Sequence, residues 1–256
     1  MTNLEMNTFI NEYLRVATFP VAVKLLKKAL PVKVKTARRL YKHRLAVCQG
    51  ISLVRRTGRT IGFEKKDHDC PVSHVLFGFI EEPDIYKEGF LVAPLYTKDL
   101  EAGKNTATKE ARLPCGTFDN LILSPLHKAD FEPDVLIIYG NPAQMVRLVQ
   151  GALYLEGGTV TSSFMGRGAC GSSIAFPYKN KQVNVVLPGG GERVFGMTCD
   201  DEMCFAIPKE KIVSVLEGVK ATHDGGVARM PTPFFGVSAD PVFPPSYKEL
   251  EDHIGL

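Results

Sequence analysis

The sequence predicts an α+β protein: one compact domain in which a mixed β-sheet is flanked by helices, with α/β as the neighbouring class. Three observations carry this. Apolar, β-branched runs of strand length recur, as in VAVKLL, FDNLILSPL, PDVLIIYG and CFAIP. Amphipathic stretches at helical spacing lie among them and at the N-terminus. The two kinds of element do not alternate strictly as β-α units, so a doubly wound parallel sheet is not indicated. The 256 residues, 45% hydrophobic and 23% charged, give ample length for a core and an ordinary globular balance. Residues 1–256 form this single domain, with a Gly- and Pro-rich tail from about residue 225 that wraps the surface.

Each element follows from local pattern. Leu4, Phe9, Ile10, Tyr13 and Leu14 share one helical face, so residues 3–16 read as a helix that Phe19-Pro20 ends. VAVKLL at 21–26 is a strand. Residues 43–58 read as a helix carrying Cys48 and stopping at Gly58, and RTIGFEK alternates as a strand. Asp69-Cys70-Pro71 opens a further helix, Asp69 as the cap and Pro71 in the first turn. Residues 81–116 are polar and take no clear assignment. FDNLILSPL and PDVLIIYG are strands, after which Asn141-Pro142 caps a helix with Met145, Leu148, Val149 and Leu153 on one face. GGTVTSSF reads as a strand, and NVVLPGGGERVFG as strand, glycine turn and strand. CFAIP is the last strand and PKEKIVSVLEGVKATH the last helix, with Pro208 at its start.

Charge and composition exclude several classes. A net charge of +3 is too small to argue for nucleic acid. Residues 23–66 nevertheless carry fourteen Lys and Arg against the one acid Glu64. That stretch is either a solvated basic face or a docking surface for an anionic substrate or acidic partner. No apolar run is long enough to span a membrane, and the acidic, amphipathic start does not resemble a signal peptide. A cytoplasmic location is therefore expected, with the six cysteines free, catalytic or metal-bound rather than disulfide-linked.

The chemistry-bearing candidates cluster around FMGRGACGSS at 164–173. Gly166, Gly168 and Gly171 fit the dinucleotide fingerprint G-x-G-x-x-G. Pro177 leaves too short a helix after it for the crossover such a site needs, so a dinucleotide fold is rejected. No G-K-[ST] follows, which excludes a P-loop. The glycines still allow close backbone approach to a bound group, and Gly189-Gly190-Gly191-Glu192-Arg193 is a second such loop. Arg167 and Arg193 could together hold an anionic metabolite there. The cysteines contain no C-x-x-C, and the histidines no H-E-x-x-H, so zinc fingers and zinc hydrolases are not indicated. Cys199 and Cys204 read as ordinary core or surface thiols. Cys70 and Cys170 stand at helix starts, which favour a thiolate, and Cys48 lies near His43 and Arg44. Thiol catalysis by Cys170, with Arg167 lowering its pKa, lacks a proton-shuttling partner in the sequence.

PVAVKLL, DCP at 69–71, EPDVLIIYGNPAQMVRLVQ, GRGACGSSIAFPY and LPGGGERVFGMTCDDEM together resemble domain of unknown function 169 (DUF169), over roughly residues 10–250. That family is uncharacterised and is found mostly in anaerobic bacteria and archaea. The resemblance implies a recurring set of cysteines at Cys48, Cys70 and Cys170, with a further one in many relatives where this chain has Gly189. It implies an iron–sulfur cluster, [4Fe–4S], on three cysteines with one iron open for redox or Lewis-acid chemistry on a small molecule. The alternative is a metal-free protein that binds an anionic metabolite through Gly166, Arg167, Gly168, Gly171 and Arg193. Whether the protein is an enzyme is left open. The partner is a small molecule or a redox protein, and self-association into a homo-oligomer is left open.

Overall fold

A computed structural model describes residues 1–226 and 244–255. The tail expected to wrap the surface falls largely outside these residues. The chain runs through helix α1 (Asn3–Tyr13), strand β1 (Val21–Leu26), α2 (Ala37–Tyr41), α3 (Val47–Thr57), β2 (Ile61–Glu64), α4 (Pro71–Leu76), α5 (Asp84–Lys87) and α6 (Leu100–Lys109). It continues through β3 (Asn120–Pro125), β4 (Val135–Gly140), α7 (Pro142–Leu153), α8 (Phe176–Asn180), β5 (Asn184–Val186), α9 (Gly190–Gly196), β6 (Met203–Pro208), α10 (Ile212–Asp224) and α11 (Pro245–Ile254). Among the described residues, six strands form one sheet in the order β2-β3-β1-β4-β6-β5. The class is α+β, with a sheet between helices. Every strand pairing is antiparallel, so the sheet is not mixed as expected.

Both faces of the sheet are covered, which is why β4 and β6 carry no charged side chain. Along β4, Val135, Ile137 and Tyr139 face one layer while Leu136 and Ile138 face the other. Cys204 and Ala206 of β6 join the first set, Phe205 and Ile207 the second. Residues alternate sides at period two, so a continuous apolar run fills two cores at once. The second core packs under α1, α7 and α10, through Ile10, Leu148 and Val219. The first packs under α3, through Ile51 and Val54, and includes Phe77 and Ile174. The candidate site sits on this first side.

Local signals held well where a side chain fixes the backbone. Asn141 accepts from the Gln144 amide at 3.0 Å, and Gln144 accepts from the Asn141 amide at 2.8 Å, a reciprocal capping box with Pro142 in the first turn. Gly58 ends α3 in the left-handed conformation, φ 68°. Other expectations need correction. Helix α3 begins at Val47, not His43, so Cys48 lies in its first turn. Cys70, not Asp69, is the cap residue of α4, and Asp69 instead pairs with Arg44 at 3.3 Å. Pro208 ends β6, and a short turn at Lys209–Lys211 precedes α10. Residues 159–165 form no strand, and residues 190–196 form helix α9 where a glycine turn and strand were expected. Helix α9 packs on α3, with Gly196 where an added Cβ would stand 3.1 Å from the Cys48 carbonyl oxygen.

Pro177 does not stop the helix that follows Cys170. A widened π-turn spans Gly171–Ala175, and the Phe176 amide reaches back to the Gly171 carbonyl. A regular helix would press the proline ring against the carbonyl four residues earlier, and the widened turn relieves this. The dinucleotide reading still fails, for a different reason: no strand precedes the loop, and β5 runs antiparallel to β6.

Candidate functional site

Three helix starts bring three thiols together. Cys48 lies in the first turn of α3, where Gln49 accepts from the Ala46 amide at 2.9 Å and fixes the entry of the chain. Cys70 caps α4, and its carbonyl accepts from Ser73 Oγ at 2.7 Å and contacts His74 Nδ1 at 3.0 Å. Cys170 directly precedes the π-turn. All three line one pocket of about 260 Å³, together with Arg167, Gly168, Gly189, Gly191 and Glu192, and apolar walls that include Leu91, Tyr96 and Phe195. Among the described residues, no three His, Cys, Asp or Glu side chains are grouped tightly enough to hold a single metal ion.

Burial in the pocket favours the protonated form of Cys48 and Cys170. Burial pushes Cys48 up to about 12, and the nearby Glu192 and Cys70 push the same way. Cys170 is likewise raised well above an ordinary thiol by burial, with Cys70, Cys48 and Glu192 adding to it. These mutual effects mean that the groups are electrostatic neighbours. Cys204 is buried beside Tyr139 outside the pocket, and Cys115 and Cys199 are exposed.

Arg167 is buried at the pocket wall. It donates to the Leu91 carbonyl at 3.1 Å, and its Nε lies 3.6 Å from Glu110 Oε1. The other Glu110 oxygen accepts from the Tyr86 hydroxyl. Arg193, expected beside Arg167, is turned away: its guanidinium donates to the carbonyls of Pro188 at 3.2 Å and Cys199 at 2.7 Å. The two arginines therefore do not share a pocket. Gly166 and Gly171 do not line it either, while Gly168 does.

Those glycines act through close approach. Gly168, at φ +57°, leaves no room for a Cβ beside Glu110 Oε1, and at Gly171 a Cβ would stand 2.9 Å from the Ala111 carbonyl oxygen. At Gly189 a Cβ would meet the Gly166 carbonyl oxygen at 2.5 Å. A cysteine at position 189, as the resemblance implied for many relatives, does not fit this backbone.

Two acids were missed, one lining the pocket and one behind its wall. Glu192, 5% exposed, accepts from the Tyr139 hydroxyl. Burial raises its carboxyl pKa, against the opposing pull of Tyr139 and Arg55. The Arg55 guanidinium lies 4.2 Å over the Tyr139 ring and pairs with both oxygens of Glu202. Glu110 is the second acid, behind Arg167. The sequence offered one signal for Glu192, a charge inside a run of glycines and apolar residues. His68 is fully buried and held neutral by burial, down at about 3, and with His74 it packs against Phe79 rather than lining the pocket.

The family model for DUF169, described as uncharacterised ArCR, matches residues 10–218. An uncharacterised protein of Methanocaldococcus jannaschii is 27% identical over 208 residues, covering 78% of this chain and 86% of its own length. No solved structure matches the chain. With its family model matched over most of its length, the chain belongs to the DUF169 family.

Proposed function

We propose that the pocket holds an iron–sulfur cluster, [4Fe–4S], on the thiolates of Cys48, Cys70 and Cys170, with one iron left for a small molecule. The observation that carries this reading is the meeting of three chain-distant, half-buried cysteines in one pocket. Separate core thiols have no physical reason to converge. When bound, such a cluster supplies electron transfer or Lewis acidity at its open iron.

The residues define what binding requires. The thiols must lose their protons, so uptake is coupled to proton release and strengthens as pH rises. The starts of α3 and α4 and the π-turn direct backbone amides toward this end of the molecule, which favours thiolate charge. Leu91, Tyr96 and Phe195 give the pocket an apolar rim that is partly exposed to solvent. The anion reading draws less support. Arg167 is the one arginine at the pocket, it is already paired with Glu110, and Glu192 adds negative charge.

The test is anaerobic reconstitution with iron and sulfide. The wild type should take up about four irons per chain with a visible charge-transfer band. Cys48→Ala, Cys70→Ala and Cys170→Ala should each lose most of it, while Cys199→Ala should not. A wild type that takes up no iron refutes the reading.

A further inference from the structure

We infer that Glu192 is a fourth protein ligand, its carboxylate facing the iron that the three thiolates leave open. This rests on the cluster reading above. A carboxylate taken out of water needs a charge partner, and replacing water by one neutral hydrogen bond leaves most of that requirement unmet. Glu192 is 5% exposed, and among the described residues no Lys or Arg comes within ion-pair distance of it. The two arginines nearest in influence are engaged elsewhere. Arg55 is bound to Glu202, and Arg193 to the carbonyls of Pro188 and Cys199.

The carboxylate is also aimed. Glu192 sits in the first turn of α9, where a glutamate commonly reaches back to the amide of the cap residue. Here it turns inward instead, and Tyr139 donates to Oε1. Arg55, stacked on the Tyr139 ring, keeps that hydroxyl in place. The second oxygen is left for the pocket that Glu192 lines with Cys48, Cys70 and Cys170. Three soft donors and one hard donor then surround one cavity. Iron accepts both kinds, and an oxygen donor is the more readily displaced. Glu192 thus makes the open iron a guarded position: an incoming small molecule competes with a tethered carboxylate.

The experiment uses the reconstituted full chain and two variants, Glu192→Gln and Glu192→Ala. Glutamine keeps an acceptor for Tyr139 and protects the fold. All three proteins are loaded with iron-57 and sulfide and titrated with 2-mercaptoethanol, followed by absorption and Mössbauer spectra. The variants should keep their iron, show an altered signal for one iron of the cluster, and bind the thiol about tenfold or more tightly, because a tethered ligand competes at millimolar effective concentration or above. Identical spectra and thiol affinities in wild type and variants would overturn the fourth-ligand assignment while leaving the cluster reading intact. A variant that loses its iron altogether, with its fold unchanged by circular dichroism, would support Glu192 as a ligand but overturn the guarded, displaceable position assigned to it. Failure of the wild type to take up iron would overturn both.

Discussion

Removing the Glu202 side chain should destabilise the protein by about 4 kcal/mol, as breaking one partner of a buried ion pair does. Arg55 is 1% exposed and meets Glu202 with two guanidinium nitrogens, one at 2.8 Å. In Glu202→Ala the guanidinium stays buried, with only Thr18 Oγ1 at 3.3 Å and the Tyr139 ring to receive it. The Cys199 amide also loses its 2.8 Å bond to Glu202, adding about 1 kcal/mol. Urea unfolding with an unchanged m-value is the assay. The double variant Arg55→Leu/Glu202→Leu should lose less than Glu202→Ala alone, because the buried guanidinium is removed together with its partner. The pH dependence gives a second reading. Burial alone would raise the Glu202 carboxyl, but Arg55 and the Cys199 amide bring it down to about 2 from an ordinary 4.5. A depressed folded pKa gives stability that is present above about 4.5 and lost as pH falls toward 2, and Glu202→Ala should lack that slope. A loss below about 1 kcal/mol, as at an exposed pair, would refute the reasoning.

Four further outcomes are expected. Asn141→Ala should lower stability by about 1 kcal/mol through the lost cap on α7, read by thermal unfolding. Gly166→Ala, at φ +72° with open space, should lower it by about 1–2 kcal/mol from backbone strain alone. Gly168→Ala should lower it more, since strain and a clash with Glu110 combine. Without metal, Cys48 holds its proton to about 12 while the unfolded thiol releases it near 9.0, so stability should fall as pH rises through that window. Cys48→Ser should flatten this alkaline slope, and an unchanged slope would mean that the thiol is not buried as described.

The parts of the fold legible in the sequence were those where a side chain dictates its own backbone. Strands β1, β3, β4 and β6 declared themselves as apolar runs, and Asn141 and Gly58 marked helix ends by chemistry that works locally. The failures have a common cause in tertiary contact. Gly189-Gly190-Gly191 reads as a turn because glycine weakens a helix, yet α9 forms there because it packs on α3. Arg193 adjoins a glycine loop just as Arg167 does, but neighbourhood in sequence says nothing of direction, and its guanidinium goes to the Pro188 and Cys199 carbonyls. Glu192 was visible only as a charge in an odd place. Its burial and its bond from Tyr139 depend on β4, some fifty residues earlier in the chain.

The glycines of GRGACGSS and LPGGGERVFG gain a different meaning from this arrangement. As a fingerprint they promised a cradle of amides for an anion, but in the fold they are points of backbone contact. Gly189 lies against Gly166, Gly168 against Glu110, Gly171 against Ala111, and Gly196 against Cys48. Each contact ties two of the segments around the pocket, and each would be lost to a single Cβ. What they draw together is three thiols and a carboxylate with no ion-pair partner, and the thiols of Cys48 and Cys170 are raised by burial and by these neighbours. An apolar filling at these positions would serve stability better. A cation of soft character would relieve this, since it takes the place of the protons that burial favours on those sulfurs. On the cluster proposal, the glycine packing and the raised thiols would be two sides of one arrangement, with the donors held close and their charge balanced by the guest.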